Sequence, residues 1–176
     1  MPARSSSESD AGARPADCAL DVRHDTFTIE RRFEQAPASV FAAFADEQIR
    51  RRWFRLPGPG ASYRHEFGVG GAEEAQATFA APDRAPERLA YYARYLDIVN
   101  GRRIVFSYVS IVNDIPRWTA LVTVLLADDG DGCLLSWTEQ VALLTRTADG
   151  SDDLPHLRGG TALRLNGLAV ALQPDH

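Results

Sequence analysis

The sequence has no lysine, so all 19 of its basic residues are arginines. Its 24 acidic residues outnumber them, which gives a formal net charge of −5 at pH 7. Binding to nucleic acid without regard to sequence needs clustered positive charge, which an acidic chain lacks, so we expect no nucleic-acid partner. The densest basic cluster lies in a short predicted helix, where successive side chains point in different directions. Its members are Arg50, Arg51, Arg52 and Arg55, for which we predict a solvated surface.

Cysteines and long apolar runs are also scarce. The two cysteines, Cys18 and Cys133, are too few for a disulfide framework, so we expect reduced thiols. No window approaches the roughly 18 apolar residues of a membrane span, and the first residues lack the apolar stretch of a secretory signal. These absences predict a cytoplasmic protein without a membrane span.

Motifs for catalysis, metal binding and phosphate binding are missing as well. The four histidines, His24, His65, His156 and His176, are isolated, and neither cysteine has the close partner of a zinc site. The glycine-rich residues 68–71 are followed by no Lys-Ser/Thr pair and no helix, so they indicate a turn. No serine stands in a G-x-S-x-G elbow. The sequence therefore predicts no catalytic residue, no metal site and no cofactor.

Composition divides the chain into a short tail and one domain. Residues 1–22 hold scarcely any large apolar residue and are rich in Ser, Ala, Asp, Arg and Pro. Such a segment cannot offset the entropy of ordering, so we expect a disordered tail. The chain of 176 residues is 45 % apolar, and residues 23–174 are expected to form a single domain with a substantial core.

Alternating apolar residues predict about seven strands. The first contains Phe27, Ile29 and Phe33, with polar residues between them. The other six follow at hairpin spacing, over about 62–67, 73–79, 89–99, 102–112, 118–127 and 133–143. Asn100-Gly101 and the Asp-Gly repeat of residues 129–132 tolerate the positive φ of tight turns. The strands are therefore expected to pair mostly antiparallel.

Two short helices are predicted between the first and second strands. Pro37 suits the first turn of one helix. Asp46 is a suitable N-cap for the other, which carries Ile49 and Trp53 four residues apart. The Pro-Gly run of residues 57–60 is expected to end that second helix.

A Leu- and Ala-rich stretch from Leu157 to Leu172 predicts one long C-terminal helix. Its seam of Thr161, Leu165 and Leu168 continues to Leu172, and the helix body carries few charges. We therefore expect burial along much of its circumference, against the concave side of the sheet. The predicted order is β-α-α-β6-α, an α+β helix-grip fold in which a curved antiparallel sheet wraps around the C-terminal helix.

Several stretches in this order resemble a known family. They are Phe27-Thr28-Ile29-Glu30-Arg31, Val40-Phe41-Ala42-Ala43-Phe44, Arg52-Trp53-Phe54, His65-Glu66-Phe67, Ala93-Arg94-Tyr95-Leu96-Asp97-Ile98-Val99, Arg103-Ile104-Val105-Phe106-Ser107-Tyr108 and Thr138-Glu139-Gln140. From about Asp25 to Leu172, the chain resembles the START-like (SRPBCC, helix-grip) superfamily, and within it the bacterial relatives of the activator of heat-shock protein 90 ATPase. The resemblance implies an elongated cavity between sheet and helix, which holds lipids, polyketides or other apolar molecules in different relatives.

The last helix departs from that family pattern. Relatives usually begin it with acidic, strongly helix-forming residues, whereas this chain has Arg158-Gly159-Gly160-Thr161 there and Gly167 further on. An interior glycine costs a helix roughly 0.5–1 kcal/mol relative to alanine. Gly167 is therefore expected to weaken the helix unless a neighbouring strand or a ligand approaches it closely.

Aromatic residues are the candidate lining of the cavity, because ligand pockets are mainly apolar and aromatic. The predicted lining is Tyr95, Phe106, Tyr108, Trp137 and Glu139, with Trp53 and Phe54 at the mouth. Simple core filling is the alternative for each aromatic residue. If Glu139 is buried, its carboxylate needs a partner such as Arg64 or Arg94, and an exposed edge position is the alternative.

These observations leave three hypotheses for the function. The preferred one is non-enzymatic binding of a small hydrophobic or aromatic molecule in the cavity. The second is an enzyme of the cyclase or aromatase kind, in which Glu139, Tyr95 or Tyr108 assists proton transfer on a polyketide-like substrate. The third is a chaperone-associated interaction module that acts through the sheet surface, by family analogy alone. A homodimer is left open.

Overall fold

The computed structural model describes residues 22–58, 61–82 and 85–173. Within these residues the elements follow in the order β1 (Arg23–Phe33), α1 (Pro37–Ala45), α2 (Glu47–Trp53), β2 (Ser62–His65), β3 (Ala72–Phe79), β4 (Glu87–Val99), β5 (Arg103–Val112), β6 (Ile115–Asp129), β7 (Gly132–Leu143) and α3 (Asp153–Ala171). This order confirms the predicted β-α-α-β6-α arrangement. The predicted tail, residues 1–22, lies outside the described residues apart from Val22.

The seven strands form one antiparallel sheet in the order β1-β7-β6-β5-β4-β3-β2. Strands β2 to β6 each pair with the next strand in sequence, while β1 pairs with the far side of β7. The chain thus runs as a meander that ends beside its first strand. The sheet curves around α3, which confirms the helix-grip fold.

Alternation divides the sheet into an inner face, which meets the helices, and an outer face. On β4, Tyr91, Ala93 and Tyr95 are buried, whereas Tyr92 and Arg94 are exposed. Strands β5, β6 and β7 alternate in the same way. Because successive side chains of a strand point to opposite faces, one strand supplies both the core and the solvated surface.

Turns account for the main difference between the predicted and observed strands. Gly101 and Gly130 have φ of 68° and 62°, which confirms the two predicted tight turns. A third turn, missed in the sequence, joins β5 to β6 through Asn113 and Asp114, which have φ of 51° and 66°. Asn and Asp tolerate this left-handed region better than most residues. Strand β6 therefore starts at Ile115, three residues earlier than predicted.

The two short helices begin where the sequence predicts. The Asp46 carboxylate accepts hydrogen bonds from the backbone N–H groups of Gln48 and Ile49, at 2.8 and 3.0 Å, and so caps α2. Helix α2 ends at Trp53, before the Pro-Gly run, because Phe54 adopts an extended backbone and its ring is buried in the core.

Helix α3 begins at Asp153, four residues before the predicted start. Its buried side includes Thr161, Leu165 and Leu168, but Leu163 and Val170 are 70 % and 64 % exposed. The expectation of burial around much of the circumference was wrong, since the sheet and α2 cover one side of the helix. No helix in the described part of the chain is long and apolar enough to cross a membrane.

Gly167 lies against Trp53, at the end of α2, and not against a neighbouring strand. A Cβ atom added at Gly167 would lie 3.4 Å from the Trp53 Cβ and 3.5 Å from its Cα. These are ordinary van der Waals distances, so an alanine would also fit here against α2.

Packing does not require a glycine at Gly159 or at Gly160. Both are exposed in the first half of α3, and an added Cβ would meet nothing within 4 Å. We predict that Gly159→Ala and Gly160→Ala each raise the free energy of unfolding by about 0.5–1 kcal/mol, because alanine loses less backbone entropy in a helix. Urea denaturation monitored by circular dichroism measures this gain. Gly167→Ala, whose added Cβ would contact Trp53 at ordinary van der Waals distances, is the comparison variant and is expected to gain a similar amount.

Candidate functional site

The structure brings all seven predicted site residues together between the sheet and the helices. All are buried, and they are Trp53, Phe54, Tyr95, Phe106, Tyr108, Trp137 and Glu139. The five on β4, β5 and β7 share the inner face of the sheet, as the predicted alternation required. Trp53 and Phe54 stand at the end of α2, where Trp53 donates a hydrogen bond from its indole nitrogen to the Ala43 carbonyl at 2.9 Å.

The aromatic rings of the inner face contact one another in a continuous layer. The ring centroid of Phe106 lies 5.9 Å from that of Tyr95 and 5.6 Å from that of Trp137, in edge-to-face geometry. The rings of Tyr91 and Tyr108 lie 5.0 Å apart. Aromatic pairs at such distances are favourable beyond the area that they bury. This layer forms much of the wall between sheet and helix.

Glu139 is a fully buried carboxylate within this aromatic layer, with 0 % of its surface exposed. Its Oε1 accepts a hydrogen bond from the Tyr108 hydroxyl. Its Oε2 accepts from the Trp137 indole N–H at 3.0 Å and from the Thr161 hydroxyl of α3 at 3.2 Å. The carboxylate is thereby bound to three neutral donors from two strands and the helix.

Neither arginine expected to neutralise Glu139 does so. Arg64 donates to Glu66 at 3.4 Å, and Arg94 donates to the Gly70 carbonyl at 2.6 Å. Both are exposed side chains, because their positions on β2 and β4 alternate with those of the inner face. The alternative of an exposed edge position was also wrong, since β7 lies between β1 and β6.

Tyr108 connects Glu139 to a second indole. Its hydroxyl oxygen accepts a hydrogen bond from the Trp118 indole N–H at 3.0 Å, while its proton goes to Glu139. Ala120 is the β6 residue opposite Tyr108, and its small side chain lets the phenol reach across β6 to β7. Burial and the Glu139 charge raise the pKa of Tyr108 well above its ordinary value, so Tyr108 keeps its proton as a donor.

Arg164 of α3, a half-buried residue, places its guanidinium against two rings of the core. Its guanidinium carbon lies 5.0 Å from the ring centroid of Phe54 and 5.9 Å from that of Tyr91. These distances indicate cation–π contacts. Arg164 makes no hydrogen bond and no ion pair with the residues that the structure describes.

Arg50 forms a buried ion pair that the sequence interpretation missed. Its Nε and Nη2 donate to the two carboxylate oxygens of Glu73 at 2.7 and 2.8 Å, and both side chains are 1 % exposed. The prediction of a solvated surface was therefore wrong for Arg50. The available signal was its spacing, because Arg50 precedes Trp53 by three residues and shares its helix face. Glu73 likewise lies on the same face of β3 as the buried Ala75 and Ala77.

Two phenols and a histidine complete the surroundings of Glu73. The Tyr63 hydroxyl donates to Glu73 Oε1 at 2.5 Å, and the Tyr95 hydroxyl lies 3.5 Å from Oε2 and 3.0 Å from His65 Nε2. Burial would raise the pKa of Glu73, but Arg50 and Tyr63 bind the charged form and hold it below the ordinary value.

His65 makes the stability of this cluster pH-dependent. Burial and the Arg50 charge lower the pKa of His65 below its ordinary value of 6.5, and Glu73 opposes them. The unfolded chain therefore takes up a proton before the folded one as the pH falls through 6.5. We predict that the free energy of unfolding falls from pH 7 to pH 5, and that His65→Gln removes this part of the loss. Urea denaturation across this range tests the prediction, with the exposed His156→Gln as the control variant.

Comparison with known proteins places this architecture in a family. The family described as Activator of Hsp90 ATPase homolog 1-like protein matches residues 34–173, which is most of the chain. The chain belongs to this family. Comparison with the curated proteins gave no match.

Solved structures of the same fold support this assignment to the Activator of Hsp90 ATPase homolog 1-like family. Mll3558 from Rhizobium loti is 40 % identical, with coverage of 86 % of this chain and 99 % of that one and a TM-score of 0.72. An uncharacterised protein from Rhizobium leguminosarum is 30 % identical, with coverage of 86 % and 96 % and a TM-score of 0.74. CalU16 from Micromonospora echinospora is 17 % identical, with coverage of 88 % of each chain and a TM-score of 0.55, which shows the fold alone.

The outer face of this Activator of Hsp90 ATPase homolog 1-like protein carries a shallow groove. It has a volume of about 500 Å³ and crosses β1, β7, β6 and β5. Its polar lining includes Thr26, Ser107, Thr119 and Gln140. Gln140 stands next to Glu139 on β7 but on the opposite face, so the two residues can be used to separate binding inside the protein from binding on its surface.

Proposed function

We propose that this protein binds a small aromatic or hydrophobic molecule between the sheet and α3, without transforming it. Membership of the Activator of Hsp90 ATPase homolog 1-like family supports a ligand-binding or similar domain. The observation that carries the proposal is the Glu139 carboxylate, placed among aromatic rings with neutral partners only. Burying such a group is costly, so its position favours a role in recognition.

Glu139 retains capacity for one more partner. An ionised carboxylate has about four acceptor positions, and Tyr108, Trp137 and Thr161 occupy three of them. Since Glu139 is 0 % exposed, a ligand hydroxyl or amine can donate to it, with its apolar body against the rings, only when the aromatic layer opens. The predicted lining residues Tyr95, Phe106, Tyr108 and Trp137, with Trp53 and Phe54, supply those rings.

The raised pKa values of Tyr95 and Tyr108 favour binding over the cyclase-type alternative. Burial raises the pKa of Tyr95 and Tyr108, and the carboxylates beside them raise it further. A general acid works best when its pKa lies near the working pH, and the pKa values of these two phenols are shifted away from that range. They are suited to hold a hydrogen bond in place.

Access to the interior is expected at the first half of α3. Gly159 and Gly160 weaken the helix there by about 0.5–1 kcal/mol each. The N-cap residue Asp152 makes no side-chain capping hydrogen bond, and the start of the helix is held by the Asp153 carboxylate, which accepts from the Thr147 backbone N–H at 3.0 Å. Local opening of this segment then costs less than opening the core, and it exposes the aromatic layer.

Native mass spectrometry of the full-length protein, followed by thermal-shift screening, tests the proposal. Fatty acids, flavonoids and aromatic polyketides form the panel. We expect a co-purifying molecule, or a melting temperature that rises with ligand concentration until the site is filled. Glu139→Gln should weaken binding of hydroxylated ligands about tenfold, which corresponds to one lost charged hydrogen bond. Gln140→Ala, on the opposite face of β7, should leave binding unchanged.

Two results would count against this proposal. Absence of any adduct and of any thermal shift across the panel removes the binding function. A shift that Gln140→Ala abolishes and Glu139→Gln preserves moves the site to the outer groove, which would support the surface-acting module instead.

A further inference from the structure

Strand β1 is a long edge strand whose outer side has no partner strand among the described residues. It covers 11 residues and pairs with β7 alone, in an unbroken register from Arg23 opposite Leu143 to Phe33 opposite Cys133. Proteins protect an open edge with a short strand, a proline, a bulge or a covering element. The opposite edge strand, β2, is only four residues long. Strand β1 has no proline and no bulge, and side chains in its middle are exposed, so its outer edge is available for pairing.

Two contacts show which backbone groups of β1 face this open side. The Phe33 carbonyl oxygen lies against Gly132 of β7, where an added Cβ would be 2.1 Å from it. The Thr26 N–H instead donates to the side chain of its neighbour Asp25 at 2.7 Å. Backbone groups of successive residues in a strand point to alternate sides. The odd-numbered residues of β1 therefore pair with β7, and the even-numbered residues present their N–H and C=O groups to the open side.

The sequence of β1 is self-complementary in one antiparallel register. When two copies pair about a twofold axis at Thr28, all 11 residues of each strand have a partner residue. Thr26 of one copy then faces Glu30 of the other, and the open-side groups at the centre form about six backbone hydrogen bonds. The Thr26 N–H moves to a backbone carbonyl of the second copy, which frees the Asp25 carboxylate. Asp25 faces Arg31 of the other copy, and the symmetry forms this pair of opposite charges twice.

Neighbouring registers do not pair these charges. A slip by one residue places open-side backbone groups opposite groups that already bond to β7. A slip by two residues puts Arg23 opposite Arg31 in one direction, which are like charges, and Arg31 opposite Phe27 in the other. Charges on a strand edge normally discourage pairing. On β1 they oppose misaligned strands and favour a second copy in the register centred on Thr28.

An apolar stripe on α3 borders the same edge. Leu163 and Val170 are exposed, and they lie three residues before and four residues after Asn166, on one face of the helix. Asn166 accepts a hydrogen bond from Arg31, which places this face of α3 beside β1. A standard stable interface buries about 800 Å² per partner, more than the edge of one strand about 35 Å long provides. The stripe supplies a second, apolar part of the contact.

We propose that two copies of this chain pair through their β1 strands, antiparallel and centred on Thr28, so that the two sheets form one continuous sheet. The α3 stripes then face each other across the twofold axis and bury Leu163 and Val170. The contact is isologous, because the same strand and the same helix face are used by both copies. Each copy keeps its own interior between sheet and helix, so this assembly goes beyond the proposed function and does not depend on it.

The full-length wild-type protein tests the interface without any substitution. Sedimentation velocity over about 1–100 µM should show a dimer that grows with concentration, since a Kd of about 10 µM populates both species in that range. Hydrogen exchange should be at least about tenfold slower in β1 peptides at the high concentration than at the low one, because pairing protects the even-numbered amides. Peptides from β2, the other edge strand, should exchange equally at both concentrations.

Variants assign the contact to β1 and α3. Thr28→Pro removes an open-side N–H at a position where an edge strand tolerates proline, and it should weaken dimerisation at least about 100-fold. Asp25→Arg and Arg31→Asp should each weaken it about tenfold, and the double variant that exchanges the two charges should restore most of the affinity. Leu163→Glu should weaken it about tenfold or more. Leu121→Glu, at an exposed apolar position on the outer face of β6, is the matched control and should dimerise as wild type.

Three results would overturn this proposal. A monomer at every concentration removes the dimer. Protection of β1 peptides that is equal at both concentrations shows that another part of the chain, such as residues 1–21, covers the edge. A dimer that Leu121→Glu disrupts and that the two charge variants leave intact has its interface on the outer face of the sheet. If Thr28→Pro fails to fold, the charge exchange and the wild-type hydrogen exchange still decide.

Discussion

Replacing Glu73 by glutamine is expected to lower the free energy of unfolding by about 3–5 kcal/mol, because it leaves the Arg50 charge buried without a counter-charge. Arg50 donates two hydrogen bonds to Glu73 from a position that is 1 % exposed. Its third nitrogen, Nη1, is buried and has no hydrogen-bond partner within the described residues. Arg50 therefore depends on the Glu73 carboxylate for its neutralisation.

The ring faces around Arg50 do not replace that carboxylate. Its guanidinium carbon lies 4.1 Å from the Trp53 ring centroid and 4.6 Å from that of Phe54. Cation–π contacts of this kind contribute about 0.5–2 kcal/mol, less than the cost of an unpaired buried charge. Although burial opposes the charge, Glu73 raises the pKa of Arg50 above its ordinary value, so Arg50 does not escape the cost by losing a proton.

Urea denaturation of the full-length protein measures this effect, with the exposed neighbour Arg51 as the control. Arg51 pairs with Glu47 at 2.7 Å, but their side chains are 51 % and 47 % exposed. Arg51→Met is expected to cost at most about 0.5 kcal/mol, as for other exposed pairs. Equal losses in Glu73→Gln and Arg51→Met would contradict the assignment of a buried ion pair.

A double-mutant cycle separates the pair from its surroundings. Arg50→Met alone should also lose about 3–5 kcal/mol, since it leaves the Glu73 charge with hydroxyl partners only. Arg50→Met combined with Glu73→Leu removes both charges, and buried pairs replaced by apolar residues of similar size are often neutral. We therefore expect the double variant to be more stable than either single variant. Additive losses would show that the two residues act independently.

Periodicity predicted most of the fold, because each strand has one buried and one solvated face. The order of elements and the shared inner face of Phe106, Tyr108 and Trp137 follow from it, whereas the N-cap at Asp46 follows from the capping preference of Asp. The tight turn of the β5–β6 hairpin was not identified, because it is formed by Asn113-Asp114 and lacks the glycine that identified the other turns. Turn type depends on φ at single residues, and that is a weaker signal than an apolar repeat.

The partners of the buried charges could not be predicted from spacing alone. If buried, Glu139 was expected to pair with an arginine such as Arg64 or Arg94, whereas its partners are neutral donors, among them Tyr108 from two strands away. Arg50 and Glu73 are 23 residues apart in sequence, on α2 and β3, and their side chains meet only in the folded structure. Such contacts depend on which faces the elements present to each other, and this is settled by tertiary packing.

Removal of the Glu139 side chain is expected to cost about 3–5 kcal/mol, because it leaves several buried donors without an acceptor at about 1–3 kcal/mol each. The Trp137 indole N–H is the least tolerant of them, since it can only donate and its ring is fixed by Phe106. Urea denaturation of Glu139→Ala measures the loss. Gln140→Ala, on the outer face of the same strand, should stay within about 0.5 kcal/mol of wild type.

A second substitution in the Glu139→Ala background tests whether the orphaned donors cause the loss. Thr161→Val removes one donor with little change of shape, so it should recover about 1 kcal/mol in that background. In the wild-type protein the same change removes a hydrogen bond and should cost about 1 kcal/mol. We therefore expect Thr161→Val to stabilise the Glu139→Ala protein and to destabilise the wild-type protein. A loss of the same size in both backgrounds would show that the cavity, and not the unpaired donors, determines the cost.

Glu139→Gln should be milder, at about 1–3 kcal/mol, because one oxygen remains to accept from Trp137 and Thr161. Its amide nitrogen then faces the Tyr108 hydroxyl, whose oxygen already accepts from Trp118. The Tyr108 proton then loses its acceptor, which accounts for the expected loss. Since Glu139→Gln is expected to remain folded, a fall in its affinity for hydroxylated ligands reports recognition by the carboxylate separately from stability.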